Sequence, residues 1–251
     1  MKKLTLILLL ALLLSACSST SEIDPFENFT AQEIYDQGHE ELADGSFKDS
    51  SETFQALEAH FPYGEYTKQG QLEVIYSYYK ADDSPAALAA ADRYIRLYPR
   101  SEQLDYAYYM KGLIKFNESN GLLTSILPLD PSKRDVTAYK ESYHYFSDLV
   151  RRYPNSPYAP DARQRMVYLR NQFAQSEYFM ADYYYRRSAY LAAANRASDV
   201  VKHYDESTEM PQALIMVIKA YEKLGLQKLA DDTKRILALN YPDKMSELNK
   251  E

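Results

Sequence analysis

The sequence predicts an all-α solenoid of about five stacked helical hairpins, or about ten helices. Three observations support this prediction: aromatic-Pro pairs recur along the chain, glycine is scarce, with 7 in 251 residues, and alternating β-branched runs are missing from the sequence. Pro lacks a backbone N–H and pushes the preceding residue out of the α region, so it ends a helix. A repeated aromatic-Pro pair therefore indicates hairpins that all end in the same way.

The aromatic-Pro pairs recur at intervals close to a known repeat length. In chain order they are Phe61-Pro62, Tyr98-Pro99, Tyr153-Pro154, the degenerate Tyr204-Asp205, and Tyr241-Pro242. Their second residues lie 37, 55, 51 and 37 positions apart. Two intervals are near the period of about 34 residues of a tetratricopeptide repeat, and two fit that repeat with an insertion. The sequence thus predicts a tetratricopeptide-repeat solenoid.

The first repeat also carries the small and large residues of the tetratricopeptide pattern. Gly38 precedes Phe54 by 16 residues and Pro62 by 24. Glycine lets two helices approach closely, phenylalanine fills the space between them, and Gly45 suits the turn that joins them. Later copies are less regular. The residues that match the tetratricopeptide pattern there are Ala87 and Ala91, Gly112 and Phe146, Ala193 and Ala197, and Gly225 and Ala230.

The predicted helices follow from the hydrophobic periodicity and from residues that start helices. The pairs are 30–44 with 47–61, 66–80 with 84–98, 102–118 with 135–152, 156–186 with 188–203, and 209–224 with 227–240. Ser84-Pro85 and Ser156-Pro157 each place an N-cap before a Pro that suits the first helical position. The long fourth-pair helix, ending near Arg186, would bridge the N- and C-terminal repeats.

The chain then divides into regions at the points where this pattern breaks. An N-terminal repeat region covers 30–118, and a C-terminal repeat region covers 135–242. Residues 119–134 interrupt the periodicity and predict an insertion loop within the third repeat. Residues 243–251 predict a tail.

Residues 1–16 predict a lipoprotein signal peptide. Two lysines precede an apolar run, Leu4 to Leu14, which at 11 residues is too short to span a bilayer. The only cysteine, Cys17, follows directly, and a flexible polar tether extends to residue 29. A lone cysteine is most often a small buried apolar residue, but this position resembles a bacterial lipobox.

The lipobox resemblance implies a membrane anchor. It implies cleavage before Cys17 and attachment of a diacylglycerol and an N-acyl chain such as palmitate. Several acyl chains give firm anchoring where one gives only marginal binding. Ser18, in place of an Asp, favours the periplasmic face of the outer membrane over the inner membrane.

Composition disfavours nucleic-acid binding. Without the signal peptide, 27 basic and 36 acidic residues remain, a net charge of −9. An acidic, exported chain is a poor match for nucleic acid. Charge is also segregated: residues 18–66 hold 12 acidic residues and one basic, whereas 93–187 hold 15 basic and 10 acidic. This segregation is compatible with an ordinary solvated surface and with separate partners for separate repeats.

The sequence shows no catalytic or metal-binding pattern. Its histidines, His39, His60, His144 and His203, lack the paired spacing of metal ligands, and it contains neither G-x-S-x-G nor a Gly-rich phosphate loop. We therefore expect a non-enzymatic protein with no metal and no cofactor other than the acyl chains on Cys17.

The 25 tyrosines are the remaining feature of the sequence that bears on function. Three consecutive tyrosines, Tyr183 to Tyr185, cannot all face one side of a helix, because neighbouring residues are about 100° apart. Some tyrosines must then line a surface, where a large apolar ring with a polar tip suits an extended peptide. We predict such a substrate-peptide groove at Tyr63, Tyr66, Tyr76 and Tyr79.

Longer stretches are more specific than single repeat positions. They are Phe61 to Tyr66 (FPYGEY), Ile75 to Lys80 (IYSYYK), Arg93 to Leu97 (RYIRL), Leu149 to Ser156 (LVRRYPNS), and Asn195-Arg196. Together with the lipobox and the five repeats, they resemble the BamD family, the lipoprotein subunit of the β-barrel assembly machine of the Gram-negative outer membrane. The resemblance covers essentially the full length.

This resemblance implies a scaffold whose C-terminal repeats bind the POTRA region of the barrel subunit BamA. An arginine of the family's fourth repeat belongs to that contact and matches Arg196, beside which we place Asn195 and Arg187. A planar guanidinium suits a bidentate carboxylate partner. The resemblance further implies that the N-terminal repeats receive unfolded outer-membrane protein segments, and that BamC and BamE-type lipoproteins are partners.

Two other functions remain open from the residues alone. A periplasmic repeat lipoprotein that organises peptidoglycan synthesis or remodelling would share the anchor and the repeats but would not bind BamA. A lipoprotein hydrolase with a helical domain would need a catalytic site that the sequence does not reveal.

Overall fold

The computed structural model describes residues 24–118 and 137–249. In this part of the chain it has ten α-helices, one 3-10 helix and no β-strand. The helices are α1 (Ala31–Ala43), α2 (Phe47–His60), α3 (Glu65–Lys80), α4 (Ser84–Leu97), α5 (Leu104–Glu118), α6 (Thr137–Arg152), α7 (Ala159–Arg186), α8 (Tyr190–His203), α9 (Met210–Lys223), α10 (Gln227–Asn240) and the 3-10 helix Pro242–Asn249. The predicted all-α fold is confirmed. The predicted signal peptide, Cys17 and the insertion loop 119–134 lie outside the described residues.

The helices stack as hairpins into a solenoid. Each helix packs against the next one along the chain. The first helices of neighbouring hairpins also touch, α1 with α3, α3 with α5, and α7 with α9, whereas the second helices lie further apart. The first helices therefore form the inner, concave layer, and the second helices form the convex layer. Within the described ranges, no helix is both long and apolar enough to cross a bilayer.

A glycine faces a phenylalanine inside the first and third hairpins. A Cβ added to Gly38 would lie 2.9 Å from the ring of Phe54, and one added to Gly112 would lie 2.5 Å from the ring of Phe146. The glycine precedes its phenylalanine by 16 residues in the first hairpin and by 34 in the third. The longer spacing arises because additional chain lies between α5 and α6.

The aromatic-Pro pairs end helices, as their repetition predicts. Phe61, Tyr98 and Tyr241 are the C-cap residues of α2, α4 and α10, and their ψ angles of 76°, 59° and 61° are non-helical. Tyr204 caps α8 with a ψ of 41° although no Pro follows it. Its ring packs 6.0 Å from that of Phe173 on α7, so this packing closes the degenerate copy.

Two helix starts differ from the prediction. The side chain of Asp83, rather than Ser84, caps α4 by accepting a hydrogen bond from the N–H of Ala86 at 3.0 Å. Helix α7 begins at Ala159, because Ser156 accepts a hydrogen bond from the N–H of Tyr158 at 3.1 Å and forms a turn instead of a helical cap.

One long helix lies in the middle of the solenoid, and a 3-10 helix closes its C-terminal end. Helix α7 spans 28 residues and packs against α6, α8 and α9, and near its start Asp161 accepts a hydrogen bond from Tyr109 on α5. The 3-10 helix occupies most of the stretch predicted as a tail, and its Met245 and Leu248 pack on the core between α9 and α10.

Candidate peptide groove and partner surface

The concave side of the first three hairpins is lined by polar and aromatic side chains. On α3, positions 66, 69, 73 and 76 share one face within an arc of about 80°. The opposite side of the helix is buried at Val74 and Ile75. Beside this face a cavity of about 580 Å³ opens between α3, α5 and the turn before α7. Its lining includes Gln69, Glu73, Gln103, Asp105, Tyr106 and Tyr158.

Glu73 is the centre of a hydrogen-bond network across this concave face. Tyr35 donates its hydroxyl to Glu73 Oε1 at 2.7 Å, and His39 Nδ1 lies 2.8 Å from Glu73 Oε2. Gln69 Nε2 donates to Glu73 Oε1 at 3.1 Å, and Gln103 Nε2 donates to Gln69 Oε1 at 3.3 Å. The network thus links α1, α3 and the turn that precedes α5.

This network keeps its tyrosine protonated. Burial, and then the hydrogen bond to Glu73, raise the pKa of Tyr35 well above its usual value of 10. Burial also raises the pKa of Tyr106, which borders the cavity. Both phenols are neutral at physiological pH, as an ordinary tyrosine is, and Tyr35 acts as a hydrogen-bond donor to Glu73.

The four predicted groove tyrosines occupy different environments. Tyr66 lies on the groove face, with its ring 5.6 Å from that of Tyr35, and Tyr76 lies further along the same face. Tyr79 is at the edge of this face, where its ring is tilted relative to that of Tyr76 at 6.0 Å and its hydroxyl accepts a hydrogen bond from Asn117. Tyr63 is 90% exposed in the turn between α2 and α3. The structure thus places Tyr66 beside Tyr35 of the network, places Tyr76 on the same helix face, and leaves Tyr63 in solvent.

A second polar cluster joins α5 to α7 at the end of the groove. Tyr109 donates its hydroxyl to Asp161 Oδ2 at 2.8 Å, and Arg165 Nε donates to the same oxygen at 2.6 Å. The ring of Tyr158 stacks 4.9 Å from that of Tyr109. Burial and the hydrogen bond to Asp161 raise the pKa of Tyr109 to about 12. Burial by itself would raise the pKa of the Asp161 carboxyl. The hydrogen bonds from Arg165 and Tyr109 outweigh burial, so the pKa of this carboxyl is lowered.

Sequence reasoning missed most of the residues that build this groove. Tyr35, Glu73, Gln103 and Tyr109 were not among the predicted site residues. The sequence does contain a pattern that indicates this groove. On α3, polar and aromatic residues at spacings of three and four lie opposite its buried apolar positions. The partners on α1 and α5 become visible only once the hairpins are stacked.

The predicted BamA-contact arginine already has an intramolecular partner. Arg196 on α8 donates from Nη1 to Glu177 Oε2 on α7 at 2.9 Å, and 43% of its side chain is exposed. The hydrogen bond from Arg196 to Glu177 raises the pKa of the guanidinium further. A guanidinium has five N–H donors, so this single contact leaves donors for a second carboxylate.

The two neighbouring predicted residues are exposed near the start of α8. Arg187 follows the end of α7, and its guanidinium lies 4.5 Å from the centre of the Tyr183 ring. Asn195 is exposed on α8. Leu191, four residues earlier on the same helix face, is 60% exposed and was not predicted. This α8 surface, formed by Leu191, Asn195 and Arg196, combines an apolar side chain with hydrogen-bond donors.

The arrangement provides binding surfaces. Among the described residues, no group of three or more His, Cys, Asp or Glu side chains is placed to hold a metal ion. The carboxylates at the centre of each cluster, Glu73 and Asp161, are held by hydrogen bonds from tyrosine, amide and guanidinium groups. Such hydrogen-bonded carboxylates orient neighbouring side chains and leave aromatic faces available for contact.

Comparison with known proteins gives the family. Residues 27–236 match the family model YfiO, described as outer membrane lipoprotein. A relative named outer membrane protein assembly factor BamD, from Neisseria meningitidis serogroup A, is 38% identical and covers 96% of this chain and 92% of its own. The chain belongs to the BamD family. A further BamD relative, from Vibrio cholerae, is 36% identical over 96% of this chain and 99% of its own.

A third BamD relative is consistent with this membership. The BamD relative from Pasteurella multocida is 33% identical over 100% of this chain and 95% of its own. A solved structure of tetratricopeptide-like repeats from a Podospora anserina putative kinesin light chain is 9% identical, with a TM-score of 0.36 over 82% of this chain and 94% of its own. The BamD family is described as outer membrane lipoproteins, which associates this chain with the outer membrane. Its named relatives are outer membrane protein assembly factors.

Proposed function

We propose that this chain is a non-enzymatic, lipid-anchored adaptor that promotes folding and insertion of outer membrane proteins. Membership of the BamD family along nearly the whole chain is the observation that carries the proposal. The acyl chains on Cys17 hold the repeats at the periplasmic face of the outer membrane. The concave groove binds segments of unfolded outer-membrane proteins, and the α8 surface binds the POTRA region of BamA. BamC and BamE-type lipoproteins are further partners in this proposal.

The chemistry of the concave groove supports the substrate part of the proposal. An extended peptide has free backbone N–H and C=O groups and alternating side chains. Tyr66, Tyr76 and Tyr106 offer apolar faces for such side chains, while the amides of Gln69 and Gln103 offer donors and acceptors for the backbone. The network around Glu73 holds these groups in place before binding, which lowers the entropy cost of association.

The α8 surface supports the BamA part. Arg196 keeps unused N–H donors, and Leu191 adds an exposed apolar contact beside it. A mixed surface with an arginine and an apolar anchor is typical of binding hot spots. Because α7 contacts both the groove and α8, the same helix connects the arrival of a substrate strand with BamA.

Binding to BamA is tested with the full-length chain in detergent and the POTRA region of BamA from the same organism. Arg196→Glu is expected to weaken binding about tenfold or more, because it places a carboxylate where the partner's carboxylate must approach. Glu177→Gln is expected to leave binding intact, since it removes only the intramolecular partner. Arg151→Glu, at another exposed arginine paired with a carboxylate, is the matched control.

The results distinguish a wrong binding site from a wrong function. Binding by the wild-type chain and by Arg196→Glu alike would retain the adaptor function and reject the α8 surface. If the wild-type chain does not bind the POTRA region, the adaptor proposal is wrong and the peptidoglycan scaffold becomes the better explanation.

Substrate binding is tested with a fluorescent peptide from an unfolded outer-membrane protein. Glu73→Ala is expected to weaken binding about fivefold or more, because Tyr35 and Gln69 lose their common acceptor. Glu52→Ala, on the outer side of α2, is the control. An equal affinity for both variants would show that the peptide binds elsewhere.

A further inference from the structure

A second groove lies on the convex side of the first two hairpins. It has a volume of about 550 Å³ and runs between α2 and α4, with α3 as its floor. The α4 wall carries Ala86, Ala89 and Ala90, whose methyl groups leave the space open. The remaining lining includes Phe54 and Tyr78, so most of the groove surface is apolar.

The floor of this convex groove contains a hydrogen-bond acceptor that lacks a donor. Gln71 is 6% exposed, and its Nε2 donates to Glu58 Oε1 at 2.6 Å. Its Oε1 has no hydrogen-bond partner within the described chain. Glu58 also accepts from Arg93, and a carboxylate has no N–H or O–H to offer in return. A buried acceptor without a donor is rare in native proteins, and a bound ligand is one way to supply the donor.

We propose that the convex groove binds an extended, apolar segment of a partner protein, with a backbone N–H of the segment donating to Gln71 Oε1. An α-helix is a poor occupant, because its N–H groups beyond the first turn are bonded within the helix. An extended segment has free N–H groups and turns alternate side chains to the same side. Those side chains fit the space above Ala86, Ala89 and Ala90.

The walls of the convex groove carry nearly balanced charge. Helix α2 has Asp49, Glu52 and Glu58 against Lys48, and α4 has Asp92 against Arg93 and Arg96. The carboxylate inside the groove, Glu58, is already paired with Arg93. The apolar lining and the acceptor of Gln71 therefore define the occupant, and the lysines of the test peptide below serve to keep it in solution.

This site is separate from the concave groove. Gln71 and Glu73 lie about 160° apart around α3, so they face opposite sides of the solenoid. Two extended segments can therefore occupy the N-terminal repeats at the same time. The convex groove adds a second partner to the function proposed above and does not depend on it.

The test uses a fluorescent synthetic peptide in which leucine alternates with threonine between paired lysines at each end. Binding to the full-length chain in detergent is followed by polarisation. Ala89→Trp, which fills the groove from an exposed position, is expected to weaken binding about tenfold or more. Ala238→Trp, at an exposed alanine of α10, is the matched control and is expected to bind like the wild-type chain.

A second pair of measurements tests the hydrogen bond. A peptide with N-methyl groups on alternate amides lacks half of its donors and is expected to bind the wild-type chain about fivefold more weakly. Gln71→Met removes the acceptor at similar volume, so this variant is expected to bind both peptides with equal affinity. Circular dichroism of each variant verifies that it is folded.

Three results would overturn the proposal. They are unchanged binding by Ala89→Trp, equal binding of both peptides by the wild-type chain, and failure of the wild-type chain to bind the peptide at all. Tighter binding of a helix-forming peptide with the same flanking lysines would likewise show that the occupant is not extended.

Discussion

The first two hairpins and the fourth use one repeat plan with different side chains between the helices. In the first hairpin the ring of Phe54 fits against Gly38, whereas in the fourth Ala181 and Ala197 meet within one buried cluster. The convex groove between α2 and α4 has a volume of about 550 Å³, while the equivalent space between α6 and α8 has about 330 Å³. The convex groove of the N-terminal half is therefore the larger of these two spaces.

The chemistry of the two convex spaces also differs. Alanines line the N-terminal one, whereas the C-terminal one is lined by Lys140, Tyr143, Arg170, Phe173, His203 and Tyr204. In the same half of the chain, Leu191 and Arg196 are exposed on α8. The comparison teaches that the size of the residues between helices decides whether a repeat offers a groove or a face.

The largest expected effect comes from filling a glycine position in the third hairpin. Gly112→Ala places a Cβ 2.5 Å from the ring of Phe146 and is expected to destabilise the fold by about 2–3 kcal/mol, because neither helix can move without losing contacts. Gly38→Ala, with 2.9 Å to Phe54, is expected to cost less. Urea unfolding followed by circular dichroism measures both.

A second substitution separates crowding from a change in helix propensity. Phe146→Leu alone is expected to destabilise, but combined with Gly112→Ala it should recover part of the loss. Additive effects of the two changes would contradict the packing explanation.

The next effect concerns the hydrogen-bond network of the concave groove. Tyr35→Phe removes the donor that lies 2.7 Å from Glu73 and is expected to lower the free energy of unfolding by about 1 kcal/mol. Tyr63→Phe changes the same group at a 90% exposed position and is expected to have no effect on thermal unfolding. An equal loss for both would mean that the network does not stabilise the fold.

A smaller effect, in the opposite direction, is expected at the turn before α8. Ser188 has a φ of 60°, and the equivalent turns of the first and last hairpins use Gly45 and Gly225 at φ values of 82° and 72°. Ser188→Gly should therefore stabilise the chain by about 0.5–1 kcal/mol, because glycine adopts this conformation without strain. A fall in the unfolding midpoint would contradict this.

The smallest effect is a dependence of stability on acid pH. The pKa of Asp161 is lower in the folded chain than in an unfolded one, so its contribution is present above the unfolded value of about 4 and is lost as the pH falls through the folded value. Asp161→Asn is expected to be less stable than the wild-type chain at neutral pH and to approach it below about pH 4. Parallel stability curves would show that the carboxyl does not act through its charge.

The sequence by itself determined the helices, their pairing and the family. The aromatic-Pro pairs, the position of Gly38 relative to Phe54 and the periodicity act over a few helical turns, and local sterics decide their outcome. For this reason the predicted helices differ from the observed ones by only a few residues. At Asp83 and Ser156 the start of a helix depended on which side chain reached a backbone N–H, and sequence preferences do not distinguish such close alternatives.

Only the tertiary structure decided which side chains share a surface. Tyr35, Glu73 and Gln103 are 30 or more residues apart, and their network exists because α1, α3 and α5 stack at one spacing and rotation. Tyr63 and Tyr66 are three positions apart in the sequence, yet one is in solvent and the other is in the groove. The pairing of Arg196 with Glu177 and the unpartnered carbonyl of Gln71 have the same origin. Contacts between repeats depend on the rotation of each helix, which is set by packing over the whole interface rather than by any short stretch of residues.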